Sequence, residues 1–188
     1  MVGKILRGFA VIACALIITT GGAGAADSDY YTKEEILNKA RGYFGETTAG
    51  LAKAIEKVIG DHGRPNAYII GEEFSGAIGI GVRYGKGKLN RKGGTSQKVF
   101  WQGPSVGFDI GGNASKVFTL IYKLGGTQQL FQRYPGVEGS FYLVAGVGVN
   151  YQQSGKVILA PIRTGLGLRA GANFGYVHYT KEHSWIPL

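Results

Sequence analysis

Between Thr32 and His62 the apolar residues fall three and four positions apart. Ile36, Leu37, Ala40, Tyr43 and Phe44 are followed by Leu51, Ile55, Val58 and Ile59, a spacing that keeps one helical face apolar. Thr32-Lys33-Glu34-Glu35 has the form of a capping box, in which Thr32 and Glu35 satisfy each other's free backbone donors. Gly42, Gly45 and Gly50 weaken the middle of the pattern. It therefore predicts two helical segments, or one kinked helix, over residues 32–62, ended by Gly63 and Pro65.

From Ala67 onward the period changes to two. Ile78, Ile80 and Val82 alternate with Ala77, Gly79 and Gly81, and Phe141, Leu143, Ala145, Val147 and Val149 alternate with Tyr142, Val144, Gly146, Gly148 and Asn150. Residues 117–124, 157–170 and 173–180 read as further strands. Turn residues separate them at Gly85-Lys86-Gly87, Gly93-Gly94, Gly125-Gly126, Pro135-Gly136, Gln153-Ser154-Gly155 and Gly171-Ala172-Asn173. The expected count is six to eight strands, mostly antiparallel, within residues 67–180. A helical region followed by a run of strands argues for an α+β fold, mainly β, rather than a βαβ repeat.

Composition sharpens this picture. Glycine supplies 33 of 188 residues, well above the usual ~7%. The glycines sit inside alternating strands, where they normally weaken pairing. They are useful where a sheet bends sharply or another backbone comes close. The expected architecture is thus a small, strongly curved, glycine-rich β-barrel, with residues 26–188 as one domain.

The N-terminus sets the expected compartment. Lys4 and Arg7 precede an apolar run, and small residues crowd Gly21 to Ala26, the order of a secretory signal over residues 1–25. A membrane anchor is the alternative, but the run is shorter than the ~20 residues that span a bilayer. Lipidation of Cys14, the only cysteine, is a third reading. Cleavage after Ala25 or Ala26 leaves a chain without thiols, although an exported chain could have used disulfides. The formal charge of the whole chain is +9, and it stays basic without Lys4 and Arg7. In an exported protein that excess points to anionic lipid headgroups or acidic envelope polymers rather than nucleic acid, or simply to a soluble basic surface.

The chemical motifs are sparse. Gly111-Gly112-Asn113-Ala114-Ser115-Lys116 suggests a phosphate loop, but no Gly-Lys-Ser/Thr occurs there and an alternating strand follows instead of a helix. Gly165-Leu166-Gly167-Leu168-Arg169-Ala170 fits a dinucleotide fingerprint only superficially, because a turn follows it. No cofactor is expected. His62, His178 and His183 lack metal-ligand spacing and read as structural. Glu72 and Glu73 are adjacent on a strand, so they point to opposite faces and cannot share a proton. Asp109, near Ser105 and Asn113, reads as part of a polar network at a barrel end. Nothing assembles into a catalytic set, and a non-catalytic binding protein is the expectation.

Two basic groups stand out. Lys86, Lys88, Arg91, Lys92 and Lys98 lie in what reads as a polar, glycine-rich connection, suited to anionic headgroups or merely solvated. Arg163 and Arg169 share strand parity across Gly165 and Gly167. They could flank an anionic ligand, with plain surface placement as the other reading.

Three runs carry a family resemblance: "GEEFSGAIGIGVRYGKGKL", "FWQGPSVGFDIGGNASKVFTLIYKL" and "LAPIRTGLGLRAGANFGYVHYT", together with "YTKEEILNKARGYFG". They resemble the bacterial envelope integrity protein EipA family over most of the chain after the signal. The most specific part is the run holding Gly103, Pro104, Ser105, Gly107, Asp109, Gly111 and Gly112. The resemblance implies a periplasmic small β-barrel with a role in maintaining the Gram-negative envelope, and it brings no catalytic residues. A more distant likeness to SYLF-type lipid-binding domains suggests lipid as a ligand. Two other classes remain open: an outer-membrane barrel, since "GLRAGANFGYVHYT" resembles a membrane strand, and a periplasmic enzyme acting on envelope substrates.

Overall fold

The computed structural model of the chain describes residues 29–45, 49–109, 114–144, 146–164 and 175–184. The expected export signal, with Cys14, lies outside them.

Among the described residues two helices come first, α1 (Lys33–Phe44) and α2 (Ala49–His62). The capping box forms: the Glu35 N–H donates to Thr32 Oγ1 at 3.1 Å, and the Thr32 N–H donates to Glu35 Oε2 at 2.8 Å. Gly63, at φ +78°, ends α2 by donating its N–H to the Ile59 carbonyl. The buried positions, Ile36 and Ala40 on α1 and Leu51, Ala54, Ile55 and Val58 on α2, fall on the stripe the spacing predicts.

Among the described residues nine strands follow: β1 (Ala67–Arg91), β2 (Gln97–Asp109), β3 (Ala114–Tyr122), β4 (Arg133–Pro135), β5 (Tyr142–Val144), β6 (Val147–Val149), β7 (Gln152–Ser154), β8 (Val157–Thr164) and β9 (Tyr176–Thr180). They form one antiparallel sheet in the order β4-β9-β2-β1-β3-β8-β6-β5, with β7 also paired to β8. An isolated bridge, Gly136 to Gln152, then ties the chain after β4 to β7. The sheet therefore curls back on itself as a barrel-like shell.

The strand count exceeds the expected six to eight for two reasons. The stretch from Phe141 to Asn150 is not one strand: it reverses at Gly146, φ +82°, and β5 pairs back onto β6. Strands β4 and β7 are only three residues each, too short to show a period. The expected turn at Gly85-Lys86-Gly87 is also corrected. All three residues lie inside β1, paired with Trp101, Phe100 and Val99 of β2.

The reason lies in the bend of β1. Its first part, from Ala67 to Phe74, pairs with β3, and its second, from Ala77 to Leu89, pairs with β2. The two parts touch. A Cβ on Gly71 would sit 2.3 Å from the Lys86 carbonyl oxygen, and one on Gly87 would sit 2.4 Å from that of Ile70. These glycines allow backbone to lie on backbone, the packing role the composition suggested.

Two apolar cores result. Inside the shell lie Ile69, Leu89, Val99, Trp101, Val117, Ile121, Leu159 and Tyr179. Outside it, α1 and α2 pack on Tyr68, Phe118, Leu120, Tyr122, Ala160 and Ile162. Alternate residues of β3 and β8 thus face the two cores, so both faces of these strands are buried. This explains the near-continuous apolar run of β3 from Val117 to Tyr122, interrupted by the buried Thr119. Polar contacts fix the helices in place. The Tyr43 hydroxyl donates to the Gly71 carbonyl at 2.6 Å, Lys116 Nζ donates to the Tyr43 carbonyl at 3.1 Å, and Lys92 pairs with Glu35.

Candidate functional site

Inside the shell, where Glu73 of β1 meets Arg163 of β8, the apolar lining gives way to charge. Glu73, 6% exposed, lies between Arg163 and Arg83. Arg163 grips it with two bonds, Nε to Oε1 at 2.9 Å and Nη2 to Oε2 at 3.2 Å. The Trp101 indole N–H donates to Oε2 at 2.8 Å. Arg83 stands farther off, Nη1 to Oε1 at 4.0 Å, and donates its Nε–H to the Pro104 carbonyl at 3.1 Å. Arg163 also donates from Nη1 to Asn150 Oδ1 at 2.7 Å.

Glycine positions make room for this arrangement. A Cβ on Gly85 would fall 1.9 Å from Trp101 Cε2, and one on Gly71 would fall 2.8 Å from its Cη2. The indole thus lies flat against bare backbone, with its N–H directed at the carboxylate. Gly103 plays a similar part: a Cβ there would meet the Tyr176 carbonyl at 2.2 Å.

Burial alone would push the Glu73 carboxyl up. The charges of Arg163 and Arg83, with the bonds from Arg163 and Trp101, overcome this and hold its pKa at about 2. Burial likewise pulls Arg83 down, while Glu73 raises Arg163 against its own desolvation. A carboxylate held that low is a poor proton acceptor at neutral pH. Its chemistry is to pin β1, β2 and β8 together across the interior. Beside it, Arg83, Pro104, Gln152 and Tyr176 border a cavity of about 10 Å³, room for about one water.

The basic residues singled out in the sequence separate into two groups. Lys86 and Lys88 stand exposed on β1, and Lys98 stands exposed on β2 directly opposite Lys88. They belong to strands, not to a flexible connection, which corrects the expected loop. The turn itself runs from Lys92 to Ser96. Arg91 is half-buried and donates to the Gly125 carbonyl at 3.2 Å, and Lys92 is engaged by Glu35. Arg163 is an interior residue bound to Glu73. Arg169 lies outside the described residues.

Of the motif run, Gly103 is buried, Pro104 receives Arg83, and Ser105, Gly107 and Asp109 sit in β2 opposite Gly81, Gly79 and Ala77. Gly111 and Gly112 lie outside the described residues. Glu72 is exposed while Glu73 is buried, as strand alternation requires. The sequence reading missed the charged interior. Its available signal was Glu73 and Arg83 at the same strand parity as Gly71, Gly85 and Gly87.

Among the described residues no helix is long and apolar enough to cross a membrane. No match is found among the curated proteins. A crystal structure titled as a beta-barrel-like, uncharacterized protein from Brucella abortus is similar. It is 46% identical, with a TM-score of 0.77, over 85% of this chain and 99% of that one. The family model for envelope integrity protein A matches residues 29–188. The chain therefore belongs to the envelope integrity protein A family.

Proposed function

We propose that this protein is a non-catalytic envelope-homeostasis module of the periplasm, which docks on an anionic envelope component through the outer face of β1 and β2. The observation that carries this reading is the cross-strand pair Lys88 and Lys98, with Lys86 alongside. Like charges directly opposite one another destabilise a sheet. Among the described residues, these three lysines form no ion pair. An external polyanion relieves that repulsion. The family supports an envelope role. The helices support a peripheral position: they cover outer faces of β1, β3 and β8 that a lipid-embedded barrel presents to acyl chains.

Co-sedimentation with anionic and neutral vesicles tests this reading. Each lysine near an anionic surface is worth about 1 kcal/mol. The triple variant Lys86→Gln, Lys88→Gln, Lys98→Gln is therefore expected to bind anionic vesicles about a hundredfold more weakly than wild type. Equal sedimentation of the two proteins overturns the docking face. Export has its own check. N-terminal sequencing of protein from cells is expected to begin at Ala26 or Asp27, and a retained Met1 or an acylated Cys14 refutes it.

A further inference from the structure

The bridge from Gly136 to Gln152 draws the chain after β4 onto β7, and the cavity of about 10 Å³ lies at that seam. Its walls come from both sides. Gln152 of β7 stands on one, and Arg83 of β1, Pro104 of β2, and Tyr176 and Val177 of β9 stand on the other. Gln152 is 2% exposed, yet its Oε1 meets no hydrogen-bond partner among the described residues. A buried acceptor left in that state costs stability. Gly175, on the edge of the cavity, is exposed, and Pro104 and Tyr176 are half-buried. The cavity therefore opens toward solvent on the side of β9.

The walls select what can fill it. Gln152 Oε1 requires a donor. An ammonium group donates, but it would lie beside the positive Arg83 guanidinium, and a carboxylate or phosphate would set acceptor against acceptor. A neutral hydroxyl suits both walls: it donates to Oε1 and turns its lone pairs toward the guanidinium. The volume admits about one such oxygen. We propose that the seam cleft is a hydroxyl-binding site, with Gln152 as the acceptor and Arg83 as the opposite wall. The group comes from water or from a sugar residue. A sugar ring has a rim to lie on: Tyr176, its pair partner Pro135, and Val137, which follows Gly136 and is 41% exposed. Lys86, Lys88 and Lys98 take no part in the site, so it stands or falls independently of the docking face.

Solution NMR of the protein tests the site. Val177 lines the cavity, so rotating-frame cross peaks between water and its methyl protons are expected in wild type. They should vanish in Gln152→Met. Chitotriose separates the two sources. If it shifts the Tyr176 ring resonances and abolishes the water cross peaks, the hydroxyl belongs to a sugar. If both stay unchanged, it belongs to a bound water. Thermal melts give an independent reading, because methionine keeps the length of the side chain and removes its polar end. Where a hydroxyl satisfies Oε1, Gln152→Met forfeits that bond and should melt about 2–4 °C lower. Where nothing does, the change removes an unpaired buried acceptor and the melting point should rise. Such a rise overturns the site. So do wild-type spectra with neither water contact at Val177 nor a chitotriose shift at Tyr176.

Discussion

Replacing Glu73 with alanine is expected to cost about 3–5 kcal/mol, because it strands two largely buried guanidinium groups without their carboxylate. A domain of this size is stable by about 5–15 kcal/mol, so the variant should melt far below wild type or fail to accumulate. Glu73→Gln keeps the volume and an acceptor for the Trp101 N–H but removes the charge. It distinguishes lost electrostatics from lost packing. The pH dependence has a definite sign. The folded carboxyl is held at about 2, below its ordinary 4.5, so ionised Glu73 contributes stability above pH 4.5. That contribution is lost as pH falls from there toward 2. Urea melts across this window should show an acid-sensitive limb in wild type that is much reduced in Glu73→Gln. Identical limbs would show that the carboxylate is not what holds the interior.

Gly71→Ala and Gly87→Ala are expected to be the other severe changes. A single methyl at either site would meet a carbonyl oxygen at 2.3 or 2.4 Å, and the obstacle is backbone rather than a side chain that can rotate away. The cost should lie at or beyond the top of the about 1–3 kcal/mol usual for overpacking. Gly42→Ala is the contrast. Its position is open, with nothing within 4 Å of an added Cβ, so alanine there should stabilise by up to about 1 kcal/mol through helix propensity. Thermal melts of the three variants check the pair against the control. A mild loss in Gly71→Ala and Gly87→Ala would mean that the two parts of β1 can separate at little expense.

Both predictions concern features that the sequence revealed unevenly. The helices were legible because their signals are local: Thr32 and Glu35 are three residues apart, and the stripe from Ile36 to Val58 repeats within each turn. The curled sheet was legible from glycines set among Val and Ile. Its register was not. Gly85-Lys86-Gly87 has the composition of a turn, and only Trp101 and the other part of β1 explain why bare backbone is needed within a strand. The charged interior was hidden for the same reason. Arg163 meets Glu73 from 90 residues away, and no local pattern separates a buried arginine from a solvated one. The basic residues were found, but Lys86, Lys88 and Lys98 sit on strands rather than in a loop. Lys86, Lys88 and Lys98 remain surface groups, whereas Arg91, Lys92 and Arg163 are occupied by partners remote in sequence.

The separation between Glu73 and Arg163 also bears on when the chain can fold. Helix α2 has its docking partner Tyr151 on the far side of nearly the whole sheet, with its hydroxyl on Asp61 across 90 residues. Neither the interior ion pair nor the helix seat can form until most of the polypeptide is available, and such distant closures are slow. An N-terminal portion emerging from a ribosome can pair β1 with β2 but lacks Arg163 and Tyr151. For a chain proposed to be threaded unfolded through a membrane channel, that delay is protective: the interior ion pair and the helix seat cannot close until Tyr151 and Arg163 have crossed.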